Sequence, residues 1–125
     1  MLKVLISDKL SPCAAKIFTE RGIHVDVKPT LSPNQLLNII GDYDGLAIRS
    51  ATKVTEEVLD AAGNLKVVGR AGIGIDNVDI GAATKRGVMV MNTPHGNSVT
   101  TAEHAITMLL ALARQIPEAN TSTKA

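Results

Sequence analysis

Short apolar runs alternate along the chain with longer segments in which apolar residues recur at helical spacing. The runs are nearly continuous, as is typical of strands buried in a parallel sheet. Strands that alternate with helices in this way predict an α/β fold, a doubly wound parallel sheet of five strands with helices covering both faces. The predicted strands lie near residues 2–6, 23–27, 45–48, 65–69 and 88–91, and the helices between them near 11–21, 32–39, 55–61 and 76–86.

Capping residues support these helix positions. Ser11 and Ser32 each precede a proline, which places a capping hydroxyl before a proline at the first helical position. Thr55 is expected to cap the third helix, and Asp76 or Asn77 the fourth. Four glycines follow the predicted helix ends, where left-handed caps occur, namely Gly22, Gly41, Gly63 and Gly87.

A further helix is predicted from about Val99 to Ile116, with Ser98 as its cap. Apolar residues fill most of its sides, and a helix of that kind is normally buried on most sides. Pro117 is expected to end it, leaving residues 117–125 as a polar, linker-like tail. We therefore expect this helix to pack on a second domain and the chain to be incomplete. Burial of the helix in a homodimer is the alternative.

The composition excludes two classes of partner. The 125 residues suit one domain, and the formal net charge is only +1. Such a charge gives no field to attract nucleic acid or a membrane surface, and with 2% aromatic residues the chain lacks the stacking platforms of single-strand binders. The longest apolar stretch, near residues 105–113, is too short to span a bilayer. We expect neither a nucleic acid nor a membrane as partner.

Cysteine and histidine give no sign of a disulfide or a metal site. Cys13 is the only cysteine, so neither an intrachain disulfide nor a cysteine cluster can form. The histidines at 24, 95 and 104 lie far apart and show no ligand spacing. We expect no metal and a cytoplasmic protein.

The clearest chemistry lies in residues 65–77, where a strand leads into a glycine-rich loop. Gly72 and Gly74 allow bare backbone N–H groups to approach an anion, and Arg70 adds a fixed positive charge. The dinucleotide fingerprint G-x-G-x-x-G would need a third glycine where Asn77 stands. The loop therefore indicates a site for a small anionic substrate rather than for a cofactor pyrophosphate.

Ligands of open parallel sheets bind beyond the carboxyl ends of the strands, where the strand order reverses. Arg49 and Ser50 follow the predicted third strand and Arg70 follows the fourth, so we expect two arginines in one crevice. Such a pair suits a substrate with a phosphate or carboxylate group. The alternative is that both are ordinary surface arginines paired with Asp44 or Asp76.

The charge at these strand ends excludes a phosphoryl-receiver domain, which is also doubly wound and of similar length. A receiver needs several carboxylates after its first strand, and an aspartate at the end of its third, to hold Mg²⁺. Here the first strand offers only Asp8 and the third ends in Arg49.

Four segments resemble the D-isomer 2-hydroxyacid dehydrogenase family. They are RSATKVT (49–55), VVGRAGIGIDNVD (67–79), VMNTPHGNS (90–98) and AEH…LLALARQIP (102–117). Together the blocks are highly specific for the family. RSATKV with ARQIP narrows the resemblance to the branch that oxidises 3-phosphoglycerate with NAD in serine biosynthesis.

The resemblance implies a two-domain protein in which a Rossmann NAD domain interrupts a flavodoxin-like substrate domain. Residues 1–98 would form the substrate-binding, flavodoxin-like domain. Residues 99–125 would form a crossing helix and a linker toward an absent NAD-binding domain. That domain would hold most of the NAD and would form most of the interface of a homo-oligomer.

The resemblance also implies roles for individual residues. Arg49, Ser50 and Arg70 would contact the phosphate or carboxylate of the substrate. Gly72 and Gly74 would present backbone N–H groups to its carboxylate. The weaker, cofactor-side positions are Ile73, where many relatives have a threonine near the nicotinamide, and Asn97 and Ser98 at the start of the crossing helix.

The family's catalytic Arg, Glu and His would all lie beyond residue 125, so the resemblance places no catalytic residue in this chain. The chain alone is therefore expected to be inactive, because the histidine serves as acid–base and the arginine polarises the substrate. Two other functions stay open. One is a dehydrogenase for another D-2-hydroxyacid, and the other is a non-catalytic, truncated binding module.

Overall fold

The computed structural model describes residues 1–125 and contains five strands and six α-helices. A short 3₁₀ turn, Ile40–Asp42, precedes the third strand. The strands are β1 (Lys3–Ile6), β2 (His24–Val27), β3 (Gly45–Ile48), β4 (Val67–Arg70) and β5 (Met89–Met91); the helices are α1 (Pro12–Glu20), α2 (Pro33–Ile39), α3 (Glu56–Ala61), α4 (Ile80–Lys85), α5 (Ser98–Ala113) and α6 (Ile116–Lys124).

All five strands are parallel and form one sheet in the order β2-β1-β3-β4-β5. This is the strand order of flavodoxin-like doubly wound folds, whose ligand crevice lies where the order reverses, between β1 and β3. The predicted α/β fold, with five parallel strands and a C-terminal helix, is confirmed. In the register of β3 and β4, Ile48 lies opposite Arg70. The segments that follow β1, β3 and β4 therefore emerge at one edge of the sheet.

Local hydrogen bonds explain where the helices begin. The hydroxyls of Ser11, Ser32 and Thr55 accept from backbone N–H groups in the first turns of α1, α2 and α3, as predicted. The prediction that Asp76 or Asn77 caps the fourth helix is wrong. Asp79 caps α4 by accepting from Ala82 N–H at 2.8 Å, because the segment before it is held in a loop.

Only two of the four glycines predicted as left-handed caps have that conformation. Gly22 (φ 71°) and Gly87 (φ 69°) reverse the chain after α1 and α4. Gly41 instead lies within the 3₁₀ turn, and Gly63 follows α3 without a positive φ. No residue at these two helix ends has a left-handed conformation, so the backbone conformation there does not require glycine.

The main core lies on one face of the sheet, under α2, α3 and α4, which pack side by side. Three successive crossovers, from β2 through to β5, run in the same direction and so place their helices on this face. The residues that are most deeply buried there include Leu5, Ile40, Tyr43, Leu46, Ile48, Val54 and Val68.

The opposite face carries less cover than the sequence predicts. Only the crossover from β1 to β2 runs the other way, so α1 is the one helix of residues 1–94 on that face, and it lies against β2. At the far edge Met89 and Met91 are 62% and 55% exposed. A Cβ added to Gly69 would meet no atom within 4 Å. Within residues 1–94, helical cover is therefore confirmed for one face and does not extend to the β4–β5 half of the other.

Residues 95–125 form a second compact unit, separate from residues 1–94. Ser98 is the first residue of α5 rather than its cap, and Asn97 in the capping position makes no side-chain capping bond. The expectation of a linker-like tail is wrong. Gln115 adopts a left-handed φ of 50°, and Pro117 lies in the first turn of α6, where its missing N–H is not needed. None of the helices combines the length and apolar character needed to cross a bilayer.

Candidate functional site

The two arginines singled out in the sequence lie side by side at the carboxyl edge of the sheet. Arg49 follows β3, and Arg70 is the last residue of β4. Arg70 Nε donates a hydrogen bond to the carbonyl oxygen of Arg49 at 3.2 Å. Ser50, the next predicted site residue, follows Arg49 and is exposed. Arg49 and Ser50 therefore border the strand-order reversal, and Arg70 lies at the end of the next strand, on the edge of the sheet where parallel sheets bind ligands.

The guanidinium of Arg70 is largely enclosed and only partly satisfied. Its side chain is 11% exposed, and its Nη1 atom is buried without a hydrogen-bond partner. The nearest opposite charge is Asp76 Oδ1 at 3.6 Å, on a side chain that is 88% exposed. An exposed carboxylate at that distance is a weak partner. The Arg70 guanidinium therefore retains donor capacity for an anion.

Pairing with surface carboxylates accounts for one arginine only. Arg70 has Asp76 nearby, as the surface alternative expects. Arg49 contacts neither Asp44 nor Asp76, and its Nη1 atom donates only a long bond of 3.5 Å to the carbonyl of Lys9. Asp44 is instead bonded to Lys66 at 2.8 Å. The Arg49 guanidinium therefore has no carboxylate partner in the chain.

Asp8 holds the loop that carries Arg49. Its Oδ2 atom accepts from Arg49 N–H at 2.6 Å and from Thr52 N–H at 3.2 Å, and its Oδ1 atom accepts from the Thr52 hydroxyl at 2.6 Å. The Ser7 and Thr52 hydroxyl oxygens are 2.8 Å apart. Because the Thr52 proton is directed to Asp8, Ser7 is the donor in that pair. The N–H groups at both ends of residues 49–52 are therefore directed to a carboxylate of the chain itself.

The same hydrogen bonds set the charge state of Asp8, which is only 5% exposed. Burial raises the pKa of a carboxyl, but the bonds from the Thr52 hydroxyl and from the Arg49 and Thr52 N–H groups outweigh it and hold the pKa of Asp8 below its ordinary 3.8. Asp8 is ionised at neutral pH. Its charge is balanced by fixed donors and leaves the arginine cations free for a ligand.

Asn77 binds the other side of the same loop. Its Nδ2 atom donates to the carbonyl oxygens of Arg49 and Thr52, both at 2.7 Å. The backbone continues the contact, since Val54 N–H donates to Asn77 O at 2.8 Å. The residue that breaks the dinucleotide fingerprint is thus the one that joins the two strand-end loops.

The two predicted loop glycines differ in what they can offer. Gly72 N–H donates to Arg70 O at 3.0 Å and Gly72 O accepts from Thr93 N–H at 2.9 Å, so its N–H is engaged within the chain. Gly74 N–H has no such bond. A Cβ on Gly74 would lie 2.9 Å from Arg70 Nη1 and 3.0 Å from Asp76 Oδ1. Any side chain at position 74 would therefore clash with the Arg70 guanidinium in its present position.

This loop does not fit the pyrophosphate of a dinucleotide. The helix that follows it, α4, has only six residues and receives its cap from Asp79. Asn92 Nδ2 donates to Ile73 O at 2.7 Å and holds the centre of the loop. Ile73 itself is 41% exposed and apolar, so it can offer a contact surface but no hydroxyl. No cluster of three or more His, Cys, Asp or Glu side chains that could hold a metal occurs in the chain.

The remaining cofactor-side candidates lie in the second unit. Asn97 O accepts from Thr101 N–H at 2.9 Å, and its side chain makes no capping bond. Asn97 and Ser98 are both exposed.

Sequence reasoning did not assign three residues that build the site. Asp8, Thr52 and Asn77 each make two or more of the bonds that fix residues 49–52. For Asp8 a signal was available, since it is an acid directly after a strand that borders the reversal in strand order. For Asn77 the signal is indirect, a polar amide where the fingerprint would have glycine.

A sequence model of the D-isomer specific 2-hydroxyacid dehydrogenase catalytic domain matches residues 4–125. The chain belongs to this family. The resemblance first seen in four sequence blocks is thereby confirmed over almost the whole chain.

Similar members of the family share one name. The D-3-phosphoglycerate dehydrogenase of Rattus norvegicus is 55% identical over 122 residues, which are 98% of this chain and 23% of that protein. That of Archaeoglobus fulgidus is 47% identical over 123 residues, with the same two shares. The chain thus spans about a quarter of the length of these dehydrogenases.

Two solved structures have the same fold. The NAD⁺-bound 3-phosphoglycerate dehydrogenase of Entamoeba histolytica has a TM-score of 0.78 at 30% identity, covering 88% of this chain and 38% of that one. The TT0316 protein of Thermus thermophilus has a TM-score of 0.85 at 33% identity, covering 98% and 40%.

Proposed function

We propose that this chain is the substrate-binding part of an NAD-dependent D-3-phosphoglycerate dehydrogenase, which oxidises 3-phosphoglycerate to 3-phosphohydroxypyruvate for serine biosynthesis. The observation that carries the proposal is the pair of arginines at the carboxyl ends of β3 and β4, where Arg70 donates to the backbone of Arg49 while both guanidinium groups keep free donors. The names of the similar dehydrogenases support this substrate.

A phosphorylated acid suits the charges around this crevice. The substrate carries a phosphate and a carboxylate, and arginine binds both groups through its planar donor fork. We assign Arg49, Ser50 and Arg70 to the anionic groups, and Gly74 N–H to the carboxylate.

Hydride transfer would be the chemistry of NAD, held mainly by residues outside this chain. In this chain only Ile73, Asn97 and Ser98 are candidates for cofactor contact. We propose that the 125 residues bind substrate without turning it over. The intact enzyme would be a cytoplasmic homo-oligomer.

A two-dimensional amide NMR titration of the ¹⁵N-labelled chain with 3-phosphoglycerate tests the proposal. Glycerate is the matched control ligand, because it has the same carboxylate and C2 hydroxyl but a free C3 hydroxyl in place of the phosphate. We expect shifts at Arg49, Ser50, Arg70 and Gly74, and tighter binding for the phosphorylated acid. The amides of α6 serve as an internal reference that should not move.

Two results would count against the proposal in different ways. Equal affinity for glycerate and 3-phosphoglycerate would favour a dehydrogenase for another D-2-hydroxyacid. If neither acid caused shifts, in a chain whose spectrum is that of a folded protein, the chain would have no anion site of the kind proposed.

A further inference from the structure

The loop of residues 49–52 is held from both sides by side chains that do not belong to it. The N–H groups of Arg49 and Thr52 donate to Asp8, which follows β1. The carbonyl groups of the same two residues accept from Asn77, which lies beyond β4. Asp8 acts as the acceptor and Asn77 as the donor. Together these residues from the two neighbouring strand ends fix both ends of the loop.

Asp8 is well suited to bind the N–H groups of this loop. A carboxylate only accepts, and with two oxygens it can accept from several N–H and O–H groups at once. Asp8 accepts two backbone bonds and one hydroxyl bond, and it is almost fully buried. An amide in its place would turn a donor toward N–H groups on one side.

Asn77 is present for its donors rather than for its oxygen. Its Oδ1 atom is buried without a hydrogen-bond partner, which is normally unfavourable. An apolar residue would avoid that penalty but could not join the carbonyls of Arg49 and Thr52. What the amide contributes here is the pair of bonds to these two carbonyls, and its oxygen stays unpaired.

From these contacts we infer that Asp8 and Asn77 are positioning residues for anion recognition. They hold residues 49–52 so that the side chains of Arg49 and Ser50 face the ligand, while neither of the two touches it. This inference rests on the proposed function, because it takes the ligand of the crevice to be a phosphorylated or carboxylated acid.

The arrangement has a consequence for specificity. Because the Arg49 and Thr52 N–H groups are directed to Asp8, this loop cannot cradle the ligand with those backbone donors. Recognition by this loop then relies on the side chains of Arg49 and Ser50. Such a site favours an anion with several oxygens that a planar fork can reach, such as a phosphate or a carboxylate.

The first test needs no ligand. Amide hydrogen exchange of the ¹⁵N-labelled chain is compared between wild type and Asp8→Asn. We expect the Arg49 and Thr52 amides to exchange at least about 10-fold faster in the variant, which corresponds to a loss of ~1.4 kcal/mol in local opening. This acceleration is counted beyond any loss of protection at the amides of β3 and β4, which report the global stability of the variant. Unchanged exchange at both loop amides would overturn the positioning role of Asp8.

Asp26→Asn is the matched control, because it makes the same chemical change at another carboxylate. Asp26 accepts from the Tyr43 hydroxyl at 2.7 Å and contacts none of the loop residues. It should lower global stability without selective loss of protection at Arg49 and Thr52. Selective loss there in this control as well would show that exchange of the loop reports general destabilisation, and the inference would fail.

The second test measures affinity for 3-phosphoglycerate by the same NMR titration. We expect Asp8→Asn and Asn77→Ala each to bind about 10-fold more weakly, the factor that corresponds to 1.4 kcal/mol. The Asp26→Asn control should bind like wild type. A loosened loop with unchanged affinity would overturn the inference while leaving the proposed function intact. Failure of the wild-type chain to bind would overturn the proposed function, and with it the functional part of the inference, whatever the exchange data show.

Thr52 offers a conservative rescue. Thr52→Val removes the hydroxyl that donates to Asp8 while keeping the shape, and Thr52→Ser keeps the hydroxyl. Valine should reduce both loop protection and affinity, and serine should restore most of each. Equal behaviour of the two variants would contradict a role for this hydrogen bond in positioning the loop.

Discussion

The side chain of Arg70 is joined to Arg49 through the backbone, since its Nε atom donates to the Arg49 carbonyl oxygen at 3.2 Å. Two like charges at neighbouring strand ends normally repel, but this bond places one guanidinium beside the other's main chain. The bond occupies one donor of Arg70 and leaves its Nη1 atom without a hydrogen bond. The guanidinium is therefore fixed in direction before any ligand binds, which lowers the entropy that binding must overcome.

Replacement of Arg70 by lysine should weaken binding although it keeps the charge. Lysine has neither the Nε donor that bonds to Arg49 nor the planar fork that suits a phosphate. We expect a loss on the order of 1–3 kcal/mol in binding of 3-phosphoglycerate, measured by NMR titration.

Arg86→Lys is the matched control for that substitution. Arg86 is bonded to Asp60 between α3 and α4, so its replacement should affect stability and leave ligand affinity unchanged. Equal affinities of Arg70→Lys and the wild type would show that Arg70 does not contact the ligand. Affinity that falls equally in both variants would point to a general effect of stability.

A methyl group on Gly74 should disturb the site while leaving the fold almost unchanged. It would lie 2.9 Å from Arg70 Nη1 and must displace that guanidinium, whose far end can move without unfolding the chain. We expect Gly74→Ala to bind 3-phosphoglycerate about 5-fold more weakly, which corresponds to ~1 kcal/mol. Urea unfolding should change little.

Gly63→Ala makes the same change where a Cβ would meet no atom within 4 Å and φ is not positive. It should be neutral or slightly stabilising, because alanine restricts the unfolded chain. Normal affinity in Gly74→Ala would contradict the placement of the Arg70 guanidinium against this glycine.

The fold was predictable where short-range interactions decide it. The caps at Ser11, Ser32 and Thr55 bond to N–H groups two or three residues further on, so the local pattern suffices. The start of α4 was not predictable in this way. Asn77 looks like a cap, but its amide instead binds carbonyls 25 and 28 residues earlier, and Asp79 takes the capping position.

The ambiguity of proline explains why the prediction of a linker-like tail at the C-terminal end of the chain was wrong. Pro117 can end a helix or begin one, because the missing N–H is harmful in a helix interior and harmless in the first turn. The left-handed conformation of Gln115 decides between the two and lets α6 begin at Ile116. Glutamine gives little sign of such a conformation, whereas a glycine at that position would have indicated it.

The position of the candidate site was predictable, but the hydrogen bonds that hold its loops in place were less so. Parallel strands end at one edge, so the neighbouring positions of Arg49 and Arg70 follow once the strands are found. The role of Asp8 depends on how residues 49–52 turn around its carboxylate, 41 to 44 residues away in sequence. No periodicity encodes that contact. The engaged N–H of Gly72 likewise depends on a local turn that the glycine pattern alone does not define.

Acid should destabilise the chain in part through Asp8. Its folded pKa lies below the ordinary 3.8, because its hydrogen bonds outweigh the effect of burial. The stabilisation is therefore fully present above the unfolded pKa and is lost as pH falls through the lower, folded value. Asp8→Asn should be less stable than wild type by ~2 kcal/mol at about pH 6, because a buried charged acceptor is lost.

Urea unfolding of both proteins between about pH 6 and about pH 3 checks this expectation. The difference in the free energy of unfolding between wild type and Asp8→Asn should shrink toward the acid end, where Asp8 becomes protonated and resembles the amide. A difference that stays constant over this range would mean that ionised Asp8 contributes no more stability than the neutral group.

Tyr43→Phe should separate stability from binding. The buried Tyr43 hydroxyl donates to Asp26 Oδ2 at 2.7 Å, at the start of β3, whereas Arg49 lies beyond the end of that strand. The hydrogen bond from Tyr43 is the main cause that lowers the pKa of Asp26, and Lys3 Nζ lies 3.3 Å from the same carboxylate oxygen. Loss of the hydroxyl should reduce the free energy of unfolding by about 1 kcal/mol, because Asp26 keeps its lysine partner. Affinity for 3-phosphoglycerate should equal that of wild type in the NMR titration, and weaker binding would show that the two edges of the sheet are coupled.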